Sequence, residues 1–469
     1  MTDATEYHDR IANQIRAEYK FITLRESETL YFFNPLDGQY HEGETYLNEL
    51  VRRATATSYS ISNLREIKQL IMVDTYVPSK NFICPTEWIN LKNGAYNIQT
   101  HEVIFRKDKP EGEEEKAKWK KEQTDEFAKF NFTSTIPIKY DPHASCPKID
   151  QFFHQVQEGD DNVLRLYEIV GYCLLKRYDI KKMFLFVGPH DSGKSTVSAL
   201  LGKFIGDDNY SALSLQAIQE DVFEKIKLLD KYANISGELA PKFIRDTSIL
   251  KELMGMDTIS VRVMHSQKVR QFVNFAKLFF LANQIPATYE SDDAYYQKVE
   301  IIEFMHQFLE GEKETKNRSQ LMEELTTENE LSGLFNKSVE ALHGLLKRGK
   351  FTASKSSQMN KEIYRVKSNP LKYFIEESIG LEDEEPNYSD SSIKVSANAY
   401  KSDVYNNFIA MLELYNIPGW TQTRFFTALN KHLKQEGIIS RHDVKGVSFY
   451  PQIYMKKLWV KKSDDVDPY

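Results

Sequence analysis

The chain has 469 residues, 41% hydrophobic and 28% charged, with a formal net charge of −7 at pH 7. That is enough length and apolar content for two to four folded domains. The acidic balance excludes a protein that coats nucleic acid indiscriminately, while leaving room for a local basic surface. No apolar run reaches the length of a membrane span, and the start MTDATEYHDRIANQIRAEYK lacks the apolar stretch of a secretory signal. Cys84, Cys146 and Cys173 stand far apart without metal-ligand spacing. They read as reduced thiols of a soluble, cytoplasmic protein with no membrane partner.

Residues 1–150 mix short helical and strand signals, an α+β domain. Within it, Asn93-Gly94 between apolar pairs in WINLKNGAYNI is hairpin chemistry. The charge-rich run 107–129 reads as a solvated helix or excursion. From Pro147 to Arg177 the pattern turns helical (IDQFFHQV, NVLRLYEIVGYCLLKR). Next comes MFLFVGPHDSGKSTVSAL, residues 183–200. Gly188, Gly193, Lys194 and Ser195 complete G-x-x-x-x-G-K-S between an apolar strand and a helix that stops at Gly206. The glycines let the backbone wrap a polyphosphate, with N–H groups and the helix N-terminus facing the anion. Gly188, Pro189, His190, Asp191, Ser192, Gly193, Lys194, Ser195 and Thr196 are therefore the expected nucleotide-binding residues. Lys194 neutralises the β- and γ-phosphates and Ser195 ligates Mg²⁺, so ATP and Mg²⁺ are the expected cofactors.

Beyond the loop, YANIS (232–236), TISVRV (258–263), KLFFLAN (277–283) and KVEIIEF (298–304) are strand-like and alternate with helical stretches such as SILKELMG. That layout predicts an α/β nucleotide-binding domain over 151–350 with a parallel sheet. Glu238 ends one strand and is expected to hold the metal or polarise the attacking water. Asn283 ends another and is expected to sense the γ-phosphate. Residues 319–347 read as helix with Gly349 as stop, 350–360 as linker (351–365 between domains) and 381–390 as an acidic loop.

Residues 366–462 form the expected last domain, and 463–469 a tail. Here AYKSDVYNNFIAMLELYN is amphipathic, Thr421 caps TQTRFFTALNKHLKQEG, and two strand-like arms surround Lys445-Gly446. This is a winged-helix layout with 421–436 as candidate recognition helix. Residues 401–460 hold eight Lys and Arg against four Asp and Glu. Arg424, Lys431 and Lys434 share one helical face, with Arg441 and Lys445 on the wing, and duplex DNA is the expected contact.

The order of these motifs resembles superfamily 3 helicases, and more closely the helicase half of the phage, plasmid and poxvirus-type primase–helicases. The residues that carry it are the GPHDSGKS loop, the acid in ISGEL, LKELMGMD, the strand ending in Asn283, and SDDAYYQKVEIIEF. INLKNGAYNIQTHEV, IPIKYDPHASCPKIDQFFHQV and LYEIVGYCLLKR extend the likeness upstream, to coverage of about 70–350. The resemblance implies an AAA+-like core in a homo-oligomeric ring, usually hexameric, with ATP hydrolysed between subunits and single-stranded DNA in the channel. It implies replication of a virus, plasmid or integrated element, forked DNA as substrate, and a separate primase or polymerase as partner. For a viral or plasmid protein the compartment is the host cytoplasm.

The segment 257–275 falls where that family has its channel hairpin, which makes Arg262, His265, Lys268 and Arg270 candidate DNA contacts. Two residues depart from the family pattern. Gly237 stands where many members have a second acid, and Lys298 stands where an arginine usually reaches the neighbouring subunit's site. Lysine lacks arginine's planar fork, so Lys298 or another cation such as Arg270 is expected in that role. No paired-aspartate metal motif precedes residue 70, so primer synthesis is not expected. The alternative to a helicase is a replication initiator or loader that binds ATP as a scaffold, hydrolyses it weakly and does not unwind.

Overall fold

A computed structural model describes residues 2–55, 60–221, 223–238, 248–262, 269–284, 293–308, 317–381, 398–435, 438–442, 445–451 and 453–459. It is a mixed α/β fold of two compact units: Met1–Leu239 with Ser248–Gln284 and Ile302–Ser354, and Ala240–Thr247 with Ile285–Ile301 and Lys355–Tyr469. Among the described residues no helix is long and apolar enough to cross a membrane.

The first unit opens with α1 (Thr2–Glu18), strands β1 (Phe21–Leu24), β2 (Leu30–Asn34) and β3 (Gln39–Glu42), helices α2 (Glu44–Thr55) and α3 (Ile61–Asp74), and β4 (Tyr76–Val77). The strands order β3-β2-β1-β4. Ile11, Ile15, Leu47, Val51, Ile67 and Ile71 of the helices bury against Phe21 and Phe32 of the sheet. A second sheet of β5 (Trp88–Leu91), β6 (Gly94–Asn97) and β7 (Val103–Phe105) contains the expected hairpin. Its two-residue connection is Lys92-Asn93, because Leu91 pairs with Gly94. Gly94 is thus a strand residue, and a Cβ there would stand 2.3 Å from the Ile104 carbonyl oxygen. Close approach of β7, not turn geometry, requires the glycine. The charge-rich run forms α4 (Glu113–Phe127), anchored through buried Trp119, Gln123 and Phe127. Trp119 Nε1 donates to the Lys107 carbonyl at 2.8 Å.

Helices α5 (Pro147–Val156) and α6 (Asp160–Cys173) precede the central sheet. That sheet takes β8 (Met183–Val187), then, after α7 (Lys194–Ile205), β9 (Tyr210–Ser211), and, after α8 (Leu215–Glu220), β10 (Ala233–Glu238). Past α9 (Ser248–Gly255), β11 (Thr258–Arg262) and β12 (Val269–Val273) pair with each other as an antiparallel ribbon. The central sheet resumes with β13 (Lys277–Ala282) and, after α10 (Asp293–Lys298), β14 (Val299–Glu303). Its order is β14-β8-β13-β10-β9, and β8, β13, β10 and β9 run parallel. MFLFV and KLFFLA are buried at every position, as strands covered on both faces must be. TISVRV, read from sequence as alternating with helices in this sheet, instead forms the ribbon, while the two-residue strand β9 gave no periodic signal.

The stretch read as one helix is two, α11 (Arg318–Leu325) and α12 (Glu328–Arg348). Thr327 caps α12 and competes with continuation of α11, and Gly349 ends α12 at φ +67°. Helix α12 is locked to its neighbours along its length. Glu330 accepts hydrogen bonds from the Lys148 and Ile149 N–H groups at 3.2 and 3.1 Å, capping the start of α5. A Cβ on Gly171 of α6 would lie 2.1 Å from the Ser338 carbonyl oxygen, so the two helices cross in backbone contact. Arg348 pairs with the fully buried Glu168, which also accepts from Thr352 N–H at 2.9 Å.

The second unit contains α13 (Lys355–Ser368), α14 (Pro370–Ser378), β15 (Ile379–Leu381), β16 (Asn398–Tyr400), α15 (Lys401–Leu414), α16 (Gln422–Gln435), β17 (Arg441–His442), β18 (Ser448–Pro451) and β19 (Ile453–Met455). Helix α13 starts inside the segment read as linker: no Gly or Pro interrupts residues 350–369, so polar composition alone does not stop the helix. Phe374, Phe408, Met411, Phe425, Leu429 and Tyr450 form the core of this unit. Strand β16 precedes α15 and α16 in the chain, β17 and β18 follow them, and the three strands order β16-β18-β17. Most of the acidic stretch 381–390, Gly437 and the tail lie outside the described residues.

Lys277, at the start of β13, is fully buried. Its ammonium donates to the Leu175 and Phe275 carbonyls, both at 2.7 Å, and lies 4.9 and 4.7 Å from the Tyr172 and Tyr178 ring centres. Burial pulls its pKa down to about 7. In the unfolded chain the amine titrates near ~10.4, so between those values unfolding takes up a proton and stability falls as pH drops from about 10 to 7. Urea denaturation across that range should show wild type losing up to about 1.4 kcal/mol per pH unit from this group. Lys277→Met should flatten that slope; an unchanged slope refutes the assignment.

Candidate functional site

The carboxyl ends of β8, β13 and β10 lie side by side, the edge at which open parallel sheets bind ligands. From β8 the chain enters residues 188–193 and then α7. Gly188 passes so close to the chain just beyond β14 that a Cβ would sit 2.2 Å from the Phe304 carbonyl oxygen. Phe304 N–H in turn donates to Val187 at 2.8 Å. Asp191 and Gly193 take left-handed backbone, φ 57° and 88°, and a Cβ on Gly193 would meet Val156 Cγ1 at 2.6 Å. The Ser192 hydroxyl donates to the Pro189 carbonyl at 2.9 Å. These contacts curl the backbone into a concavity that opens at the N-terminus of α7.

Lys194 is buried at the bottom of that concavity. Its ammonium donates to the Gly188 and Pro189 carbonyls at 2.6 and 2.5 Å and to Ser192 Oγ at 3.2 Å. The loop carbonyls hold the cation where a polyphosphate can take it over. Ser195, exposed on the first turn of α7, presents its hydroxyl beside the same opening.

A cavity of about 260 Å³ joins the loop residues His190–Thr196 to Gly237, Leu281, Ala282, Asn283 and Arg318. Register explains the gathering. Ala282 pairs with Val187, which puts Asn283 level with Gly188, and Asn283 Nδ2 lies 3.4 Å from His190 Nε2. On β10 the register shifts between Ser236 and Glu238, so Glu238 ends the strand opposite Leu281. The side chain of Glu238 is outside the described residues. Gly237 is exposed in the cavity wall, and a Cβ there would meet nothing within 4 Å. Position 237 is therefore open to the cavity and sterically free. The residues present fit a phosphate: a cradle that Cβ atoms would fill, a helix N-terminus and a buried ammonium.

Arg318 is the lining residue that sequence reasoning missed. Its Nη2 donates to the Ser195 carbonyl at 3.3 Å. The available signal was an arginine in the first turn of a helix, where a cation opposes the helix dipole. Lys298 closes α10 directly before β14, half-buried, and belongs to the second unit.

Of the expected DNA contacts, Arg262 ends β11, its side chain outside the described residues together with His265 and Lys268. Arg270 on β12 sends Nη2 to Thr29 Oγ1 at 3.2 Å, so this cation serves a contact with the N-terminal domain. In the second unit, Arg424, Lys431 and Lys434 are exposed on α16, opposite buried Phe425, Leu429 and Leu433. The Thr421 hydroxyl accepts from Arg424 N–H at 3.3 Å, capping that helix. The Arg424 guanidinium stacks 3.8 Å from the Trp420 ring centre. Arg441 on β17 and Lys445 beside Gly446 are exposed.

Residues 186–297 match the model of a family of unknown function, DUF5906. No curated protein matches the chain. Among solved structures, the A-form apo structure of the NrS-1 C-terminal region superposes with a TM-score of 0.53 at 12% identity, covering 93% of this chain and 97% of that one. A second apo structure of that region, 305–718, gives 0.48 at 12% identity, with 94% and 97% covered. The first of these superpositions shows that the chain shares a fold with the NrS-1 C-terminal region along nearly its whole length, and the segment 186–297 is similar to the DUF5906 model.

Proposed function

We propose that this chain is an ATP-dependent DNA helicase of the superfamily 3 type, built on an AAA+-like P-loop core with a C-terminal winged helix. The observation that carries the reading is the cavity at the carboxyl edge of the parallel sheet, where the GPHDSGKS loop, Asn283 and the end of β10 meet.

In this reading the loop N–H groups and the α7 N-terminus bind the β-phosphate. Lys194 exchanges its loop carbonyls for phosphate oxygens. Ser195 and Glu238 would hold Mg²⁺, which supplies charge neutralisation on the β- and γ-phosphates. Glu238 also orients the attacking water, and Asn283 leaves His190 to hydrogen-bond the γ-phosphate. These steps are positioning and electrostatics, which is most of what phosphoryl transfer requires. Movement of DNA falls to the β11–β12 ribbon. Its antiparallel arms converge on residues 263–268, and copies in a ring would line a channel with Arg262, His265 and Lys268. The exposed cationic face of α16, with Arg441 and Lys445, suits duplex DNA, with single-stranded and forked DNA engaged at the ribbon.

Lys194→Ala should abolish ATP binding and hydrolysis. Glu238→Gln should keep binding but lower turnover about 100-fold or more, with forked-DNA unwinding lost in both. Wild type that hydrolyses ATP under DNA stimulation yet never displaces a strand would replace the helicase by the initiator or loader scaffold. For the second unit, replacing Arg424, Lys431 and Lys434 by Ala should weaken duplex binding. The slope of log K against log salt should fall by about 3; unchanged affinity across a salt series would leave α16 as a protein-contact surface.

A further inference from the structure

We propose that Cys84 and Lys176 are an oxidant-responsive pair: hydrogen peroxide oxidises the Cys84 thiol, and the Lys176 amine captures the product as a sulfur–nitrogen crosslink within the chain. The pair stands apart from the nucleotide site, and its chemistry holds whether or not the chain is a helicase.

Three observations single out the pair. First, the fold brings together two residues 92 positions apart. Cys84 lies in the connection between β4 and β5, and Lys176 lies just beyond the end of α6. The Lys176 ammonium donates to Cys84 Sγ at 3.0 Å. Arg177 Nη1 donates to Thr86 Oγ1 at 3.5 Å, a second tie between the same two segments. Second, a small oxidant has one thiol to reach. Cys84 is half-buried, whereas Cys146 and Cys173 are buried, and burial pushes their thiols up to about 11 and about 12. The thiolate is the reactive form, so those two stay inert. Third, the cation is held against the sulfur. Lys176 is half-buried, with its ammonium 5.8 and 5.6 Å from the Phe132 and Tyr232 ring centres. Burial pulls it towards the neutral amine, but Tyr232 and Cys84 outweigh that pull and keep it charged. A cation beside sulfur assists attack on peroxide.

The sulfur attacks one peroxide oxygen, the O–O bond breaks, and the thiol becomes a sulfenic acid with release of water. Sulfur loses two electrons and peroxide gains them. Lys176 then gives one proton to the sulfenic hydroxyl, and its freed lone pair attacks sulfur. The S–N bond forms, the S–O bond breaks, and a second water leaves. The other proton shed by nitrogen passes to solvent. The link ties the β4–β5 connection to the chain that runs into β8 and the phosphate loop, a covalent clasp that a small thiol can undo.

Peptide mapping of the full chain by mass spectrometry, after hydrogen peroxide treatment and digestion without reductant, tests this. The peptides holding Cys84 and Lys176 should appear joined, lighter than their sum by two hydrogens, and should separate on addition of dithiothreitol. Cys146 and Cys173 should stay free thiols in the same digest. Lys176→Met should lose the joined species and leave a sulfenic acid at Cys84 that dimedone traps. Cys84 that takes as much dimedone in wild type as in Lys176→Met overturns the proposal. So does Cys84 that remains a free thiol, or that joins another cysteine instead. The wild-type map decides by itself if the variant does not fold.

Discussion

The site depends on one close approach: the backbone of Gly188 against the carbonyl of Phe304, 2.2 Å from where a Cβ would stand. Because nothing but hydrogen occupies that space, the loop leaves β8 pressed against the chain that emerges from β14. The Val187–Phe304 hydrogen bond at 2.8 Å then fixes the two segments together. The left-handed turns at Asp191 and Gly193 follow, and they aim the N-terminus of α7 at the carboxyl edge of the sheet. The sheet supplies the rest by register alone, since residues level with one another at the ends of adjacent parallel strands must face the same cavity.

Lys194 is the buried cation of the cavity among its described lining residues. Lys194 lends its hydrogen bonds to Gly188, Pro189 and Ser192, groups that belong to the loop itself. Those bonds keep a buried ammonium from the cost of burial without partners.

Much of this was legible in the chain. The G-x-x-x-x-G-K-S spacing, the strands KLFFLA and ANISGE that lead to Asn283 and Glu238, and the Gly349 stop carry local physics that the tertiary fold keeps. Three features were not legible, for distinct reasons. The break at Thr326-Thr327 turns on a capping hydroxyl that also tolerates a helix interior. TISVRV has the composition of a sheet strand, and only its antiparallel pairing with VRQFV takes it out of the central sheet. Arg318 lies 123 residues from the carbonyl it touches, and no periodicity encodes a contact made by packing α11 on α7. Arg270 shows the converse: its place in a hairpin suggested a solvent-facing cation, yet its side chain reaches Thr29 on the N-terminal β1–β2 connection.

Glu330 places the loop under remote mechanical control. Its carboxylate grips the first turn of α5, whose last residue, Val156, is the floor beneath Gly193. A rotation of α12 about its own axis would therefore tilt α5 as a lever and lift or lower that floor. The loop and α12 are thus joined through a single intervening helix, α5.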